Sequence, residues 1–239
     1  MKINNHFYSP FKSAFNDETY ASFIAGRRGA SPIPHRQNKV TSLEKVVDLI
    51  NDGDVISYPH YYRAGDKGLQ LVIEKLREKR KKDLLLYGNA FFDHTDPWLI
   101  EAFRDGTLRG LYGNVYRKFG AYVTAGELLP WVSIGFSHGN RVRKLQTGEV
   151  RVKVAFGPVP IADVYGNANG LMGKPEHLCG PLGLFAADAE FADYTCLLAG
   201  EVSEHLIMPV SISMENVDFV VPVKEPGLAA GIGSGTLDM

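Results

Sequence analysis

Short apolar runs without polar alternation recur along this chain, and between them apolar residues fall three or four positions apart. VISY (55–58) and LLLY (84–87) are two such runs, and Leu69, Val72, Ile73 and Leu76 between them keep the i, i+3, i+4, i+7 spacing of a helix with one apolar face. A strand with one wet face alternates apolar and polar side chains. An unbroken apolar run fits a strand covered on both faces, as in a parallel sheet. Strand, helix, strand in succession predicts an α/β fold, an open and mostly parallel sheet with helices on both faces.

The pattern extends in both directions. Ser42 is placed to cap a helix carrying Leu43, Val46, Val47 and Ile50, which NDGD (51–54) then stops. Trp98, Leu99, Ala102 and Phe103 mark a further helix, and LRGLY, WVSIGF, VRVKVAF, YTCLLAG and VDFVVPV add strands. Residues 1–40 are polar and aromatic, with RRGASPIPHRQ reading as extended chain, so the sequence divides into an N-terminal arm (1–40) and one α/β domain (41–239).

Charge and cysteine content narrow the function. With 26 basic and 27 acidic side chains the net charge is -1, which gives no argument for nucleic acid or a membrane surface. Cys179 and Cys196 show no metal or redox spacing and read as reduced thiols of a cytoplasmic protein. No leader-like apolar core opens the chain and no apolar run reaches membrane-spanning length. The seven histidines lack metal-ligand spacing, so no metal is expected. Neither a serine elbow nor a Walker A loop occurs, and GIGSG (231–235) resembles a dinucleotide loop only superficially. No catalytic nucleophile is assigned.

Three segments can hold a ligand. SYPHYYRAGD (57–66) follows a strand and precedes a helix, where open α/β sheets bind ligands, and offers His60, Arg63, Gly65 and Asp66. Arg63 suits a carboxylate or phosphate, while Asp66 is equally an N-cap. SHGNRVRKL (137–145) offers His138, Arg141 and Arg143 to an anion, or is a solvated loop with exposed charges. DVYGNANG (163–170) packs two Asn-Gly-type turn signals into eight residues. The amides around Asn167, Asn169 and Gly170 form an anion-holding concavity, or the segment is a structural turn. REKRKK (77–82) reads as a solvated helix end.

Taken in order, VISYPHYYRAGD, VRKLQTGEVRVKVAFGPVPIADVYGNANG, LCGPLGLFAADA, VDFVVPV and GIGSGT resemble the citrate lyase α chain family, of the CoA-transferase fold group, from about Ser42 to Met239. Where the family motif reads FRGGD after histidines, this chain has Tyr61, Tyr62 and Ala64 beside the matching His60, Arg63, Gly65 and Asp66.

The resemblance implies a CoA-transferase that exchanges acetyl for citryl on a thioester of coenzyme A, or of the CoA-like prosthetic group of an acyl carrier protein. It implies that the chain is the first half of a two-half enzyme whose catalytic glutamate lies in the second half; Glu215, in the turn before VDFVVPV, is not that residue. His60, Arg63, Gly65, Asp66, His138, Arg141, Asn167, Asn169 and Gly170 are then substrate- or CoA-binding residues rather than nucleophiles. Expected partners are a second transferase half or subunit and the citrate lyase beta and gamma (acyl carrier) subunits, in an oligomer. Two other readings stay open: a non-catalytic CoA- or acyl-binding module, and the α subunit of another acyl-CoA transferase such as malonate decarboxylase.

Overall fold

A computed structural model describes residues 37–59, 62, 65–91, 96–127 and 132–228. Helix α1 (Leu43–Val47) begins as its sequence predicts, with the Lys45 amide donating to the Ser42 hydroxyl. There follow β1 (Val55–Tyr58), α2 (Lys67–Glu78), β2 (Leu84–Phe91), α3 (Asp96–Arg104), β3 (Leu108–Val115), α4 (Arg117–Thr124) and β4 (Val132–Ile134). Helix α5 (His138–Gln146) leads into β5 (Val154–Asp163), which folds back on the two-residue β6 (Ala168–Asn169). The body closes with α6 (Gly183–Phe191), β7 (Tyr194–Ser203) and β8 (Phe219–Pro222).

The strands form one sheet in the order β4-β3-β2-β1-β5-β7-β8. Every neighbouring pair along it is parallel, and β6 alone runs antiparallel, against β5. The chain lays strands outward from β1 to β4, then returns to set β5 on the other side of β1. Such a reversal opens a crevice at the carboxyl ends of the two strands that flank it, the usual ligand position in open α/β sheets.

Alternating side chains feed two cores. Ile56, Tyr58, Leu86 and Phe156 pack with Val72 of α2, Leu99 of α3 and Phe119 of α4. Ala155, Val159, Leu197 and Val220 pack with Leu145 of α5 and Phe185 of α6. Helices therefore cover both faces, which is why the strands carry no polar alternation. Helix α6 lies close on β5 because Gly157 has no side chain: a Cβ there would stand 2.3 Å from the Phe185 ring.

The folded body takes in residues before Ser42. Lys39 donates its amide to Val164 and accepts from Val220, while its buried ammonium reaches the carbonyls of Met214 and Val217. Residues 1–36, most of the expected arm, lie outside the described residues. The segment SHGNRVRKL is not the solvated loop that was one of its two expected readings. It is helix α5, with Ser137 as N-cap accepting from the Asn140 amide. Among the described residues no helix is long and apolar enough to cross a membrane.

Candidate functional site

Strand β1 ends on Tyr58, whose hydroxyl donates to Asp66 Oδ1 at the start of α2; both side chains are buried. Asp66 occupies the N-cap position but makes no side-chain cap bond, and its Oδ1 accepts from Tyr58 instead. Burial, then the adjacent Asp66 charge, raises the Tyr58 phenol well above its ordinary value. Gly68 lets the helix approach this pair: a Cβ there would lie 2.7 Å from the Tyr58 hydroxyl. Tyr62, fully buried, donates to the His177 carbonyl at 2.8 Å, and Gly65 accepts from the Leu228 amide at 2.9 Å. His60 and Arg63 lie outside the described residues.

The loop after β5 inverts the expectation placed on it. Its amides do form an anion-holding concavity, and the anion is the chain's own. The amides of Tyr165, Gly166 and Asn167 donate to Asp163 Oδ1 at 3.0, 2.9 and 3.0 Å. Asp163 Oδ2 accepts from Asn167 Nδ2 at 2.8 Å and from the Ile207 amide at 3.3 Å. A buried carboxylate needs donors of this number, so these amides have none left for a ligand. Gly166, at φ 103°, supplies the positive backbone angle the turn requires.

Asn167, Asn169 and Gly170 tie this loop to two others. Asn167 Oδ1 accepts from the Met214 amide, and Asn169 Nδ2 donates to the Pro209 carbonyl. Asn169 Oδ1 takes the amides of Leu171 and Met172, while the Gly170 carbonyl takes those of Cys179 and Gly180. A Cβ on Gly170 would stand 1.9 Å from the Gly180 carbonyl oxygen, so only glycine fits. The run GNANG is a clamp that holds the 171–182 and 206–214 segments over the ends of β5 and β7.

The clamp brings the two strand ends together. Burial pushes the Cys179 thiol up to about 12, the Tyr62 hydroxyl bond opposes this and the Asp66 charge adds to it, so Cys179 lies against residues from the β1 end. Burial likewise raises the Cys196 thiol. Both cysteines are thiols, not thiolates, at neutral pH. His177 is 4% exposed, its Nδ1 has no hydrogen-bond partner among the described residues, and its ring lies over Gly200 of β7. Of these, sequence reading named Tyr62 as a departure from the family motif and Cys179 as a reduced thiol within LCGPLGLFAADA, and it missed His177, which carries no motif of its own. Among the described residues no group of three or more His, Cys, Asp or Glu side chains is placed to hold a metal.

The remaining candidates lie on α5. His138 is exposed at its first turn. Arg141 is fully buried and grips Asp188 of α6 with two bonds, Nη1–Oδ2 at 2.7 Å and Nη2–Oδ1 at 2.5 Å. Its Nε donates to the Gly88 carbonyl and its guanidinium lies 4.8 Å over the Tyr87 ring, whose hydroxyl donates to the Arg141 carbonyl. A buried guanidinium has to be paired, and this one ties α5 to α6 and β2. The expectation of a ligand contact at Arg141 gives way to this structural position.

The parallel α/β sheet with a switch point between β1 and β5 recurs in solved structures of other proteins. Glutaconate coenzyme A-transferase from Acidaminococcus fermentans shares the fold, with a TM-score of 0.54 at 14% identity over 77% of this chain and 75% of that one. The chain belongs to the citrate lyase alpha subunit family, whose sequence profile, "Citrate lyase, alpha subunit (CitF)", matches residues 36–239. It is 38% identical over 212 residues to the citrate lyase alpha chain of Klebsiella pneumoniae, covering 87% of this chain and 41% of that one. A Streptococcus mutans structure described as the alpha subunit of citrate lyase in complex with citrate aligns with a TM-score of 0.77 at 27% identity, over 84% of this chain and 39% of that one. The chain thus spans about two-fifths of the length of the curated relatives it matches.

Proposed function

We propose that this chain is the first half of a citrate CoA-transferase, exchanging acetyl for citryl on a thioester of coenzyme A or of a CoA-like group on an acyl carrier protein. The observation that carries the reading is the coincidence of the family match with the switch-point crevice, where the GNANG clamp and the Tyr58–Asp66 corner meet. His60, Arg63, Gly65 and Asp66 would line the β1 side. Asn167, Asn169 and Gly170 would act on the other side by holding the loops that form its wall, and His138 would lie further out. Acyl exchange asks for two held acyl partners and exclusion of water, since hydrolysis of the thioester is the competing loss. A rigid clamp over buried strand ends suits that demand.

A partner half completes the proposal. Leu171, Met172, Leu206, Met208 and Val210 stand exposed on the two segments that Asn169 joins, beside the crevice. Large apolar side chains exposed together on two joined segments favour a protein surface laid over them. The second transferase half is the occupant proposed, with beta and gamma lyase subunits further out in a cytoplasmic oligomer. The family match favours citrate over malonate as the acid.

Hydrogen exchange of the chain with and without acetyl-CoA tests the placement. Protection gathered in residues 57–68 and 163–180 is expected. Protection confined to α5 and α6, or none at saturating ligand, would reject it.

A further inference from the structure

Strand β2 ends on the same edge of the sheet with an irregularity in its pairing. On the β3 side Tyr87 pairs with Tyr112 and Ala90 with Asn114, so three steps along β2 answer two along β3. On the β1 side the register closes at Tyr58 with Gly88. Gly88 and Asn89 make a bulge, and Asn89 belongs to neither ladder. Bulges of this kind bend a strand and re-aim a side chain, often beside a functional site. Two glycines accommodate the bend, since a Cβ on Gly88 or Gly113 would stand 2.4 or 2.7 Å from the Phe91 ring.

Asn89 is 2% exposed, and neither its Oδ1 nor its Nδ2 has a hydrogen-bond partner among the described residues. Other buried asparagines are treated differently. Asn167 and Asn169 each use both ends of the amide, on Asp163 and Met214 and on Pro209, Leu171 and Met172. An unpaired buried polar group costs about 1–3 kcal/mol, and an apolar side chain of similar volume would avoid the cost. An amide kept unpaired at the carboxyl end of a central strand, one strand from the switch point, calls for a ligand to complete it.

We infer that Asn89 reads the acid substrate, selecting a hydroxy acid over the same acid without its hydroxyl. Nδ2 donates to a carboxylate oxygen and Oδ1 accepts from the hydroxyl, whereas a plain carboxylate would satisfy only the donor. Asn89 directly follows Gly88, the last β2 residue paired with β1, and so stands at the carboxyl end of β2 beside the switch-point strand. This inference deepens the transferase reading and rests on it.

The test titrates the full chain, as wild type and as Asn89→Leu, with citrate, tricarballylate (citrate lacking the hydroxyl) and acetyl-CoA by calorimetry. The wild type is expected to prefer citrate over tricarballylate by roughly tenfold or more, and Asn89→Leu to lose that preference with acetyl-CoA binding unchanged. Equal citrate affinity and preference in both proteins would overturn the assignment and leave the amide a structural or water-bound group. A wild type that binds acetyl-CoA and neither acid would also overturn it; one that binds none of the three would remove the transferase reading, and this assignment with it. If Asn89→Leu does not fold, the wild-type Asn89 side-chain amide resonance decides. It must move further with bound citrate than with bound tricarballylate, and an amide indifferent to both, or moved equally by both, rejects the role.

Discussion

Replacing Asp163 by alanine tests whether the GNANG clamp is held by its own carboxylate. The change removes one acceptor group from the amides of Tyr165, Gly166, Asn167 and Ile207 and from the Asn167 side chain. Hydrogen bonds to a charged group contribute about 1.5–3 kcal/mol each. The Ile207 contact is long at 3.3 Å, and five bonds to one carboxylate are strongly non-additive. The expected loss is therefore roughly 4–6 kcal/mol, near the upper end for single substitutions. Asp163→Asn keeps an oxygen for the three loop amides but turns a donor toward Asn167 Nδ2 and Ile207, so it should cost roughly half as much. Urea unfolding followed by circular dichroism measures both, with the slope of the transition unchanged if only stability is altered. A loss below about 1 kcal/mol for Asp163→Ala would mean that water serves the amides as well and that the carboxylate does not hold the clamp.

Other expectations follow from particular contacts. Arg141→Met and Asp188→Leu should each destabilise the chain by about 3–5 kcal/mol, and the double variant by less than either, since only the singles leave a buried charge unpaired; urea unfolding of all four proteins closes the cycle. Gly170→Ala should not fold stably, because its Cβ would meet the Gly180 carbonyl oxygen at 1.9 Å, and soluble yield with circular dichroism reports this. Cys179 is raised from 9.0 to about 12, so folding favours its protonated form. Its contribution is therefore complete below about 9 and is lost as pH rises toward 12. The urea midpoint should fall across that interval, and fall less steeply in Cys179→Ala. Arg63→Ala should weaken acetyl-CoA binding by calorimetry if that residue holds an anionic group of the ligand.

The architecture was legible because parallel strands buried on both faces leave an unmistakable record in VISY, LLLY and YTCLLAG. Ser42 and the α2 stripe were legible for the same reason: their partners are three or four residues away. Helix α6 was not, because GLFAADAEF is apolar on most of its circumference and shows no stripe. The site was half legible. Position and turn chemistry of DVYGNANG are local and could be read, whereas the acceptor that fills its amides is set by how the turn closes. Arg141 was misread because its partner Asp188 is 47 residues away, and a solvated arginine and a buried one look alike in sequence. Asn89 carries no sequence signal at all, since its distinction is a missing partner.

The proposed function makes this chain one half of a citrate CoA-transferase. The most direct measurement joins it to the part of the Klebsiella pneumoniae citrate lyase alpha chain beyond the matched region. The chain alone and the joined protein are each incubated with acetyl-CoA and citrate, and citryl-CoA is sought by mass spectrometry. Citryl-CoA from the joined protein and none from the chain alone is the predicted result. A joined protein that folds and binds acetyl-CoA yet forms no citryl-CoA, or turnover by the chain alone, would contradict it.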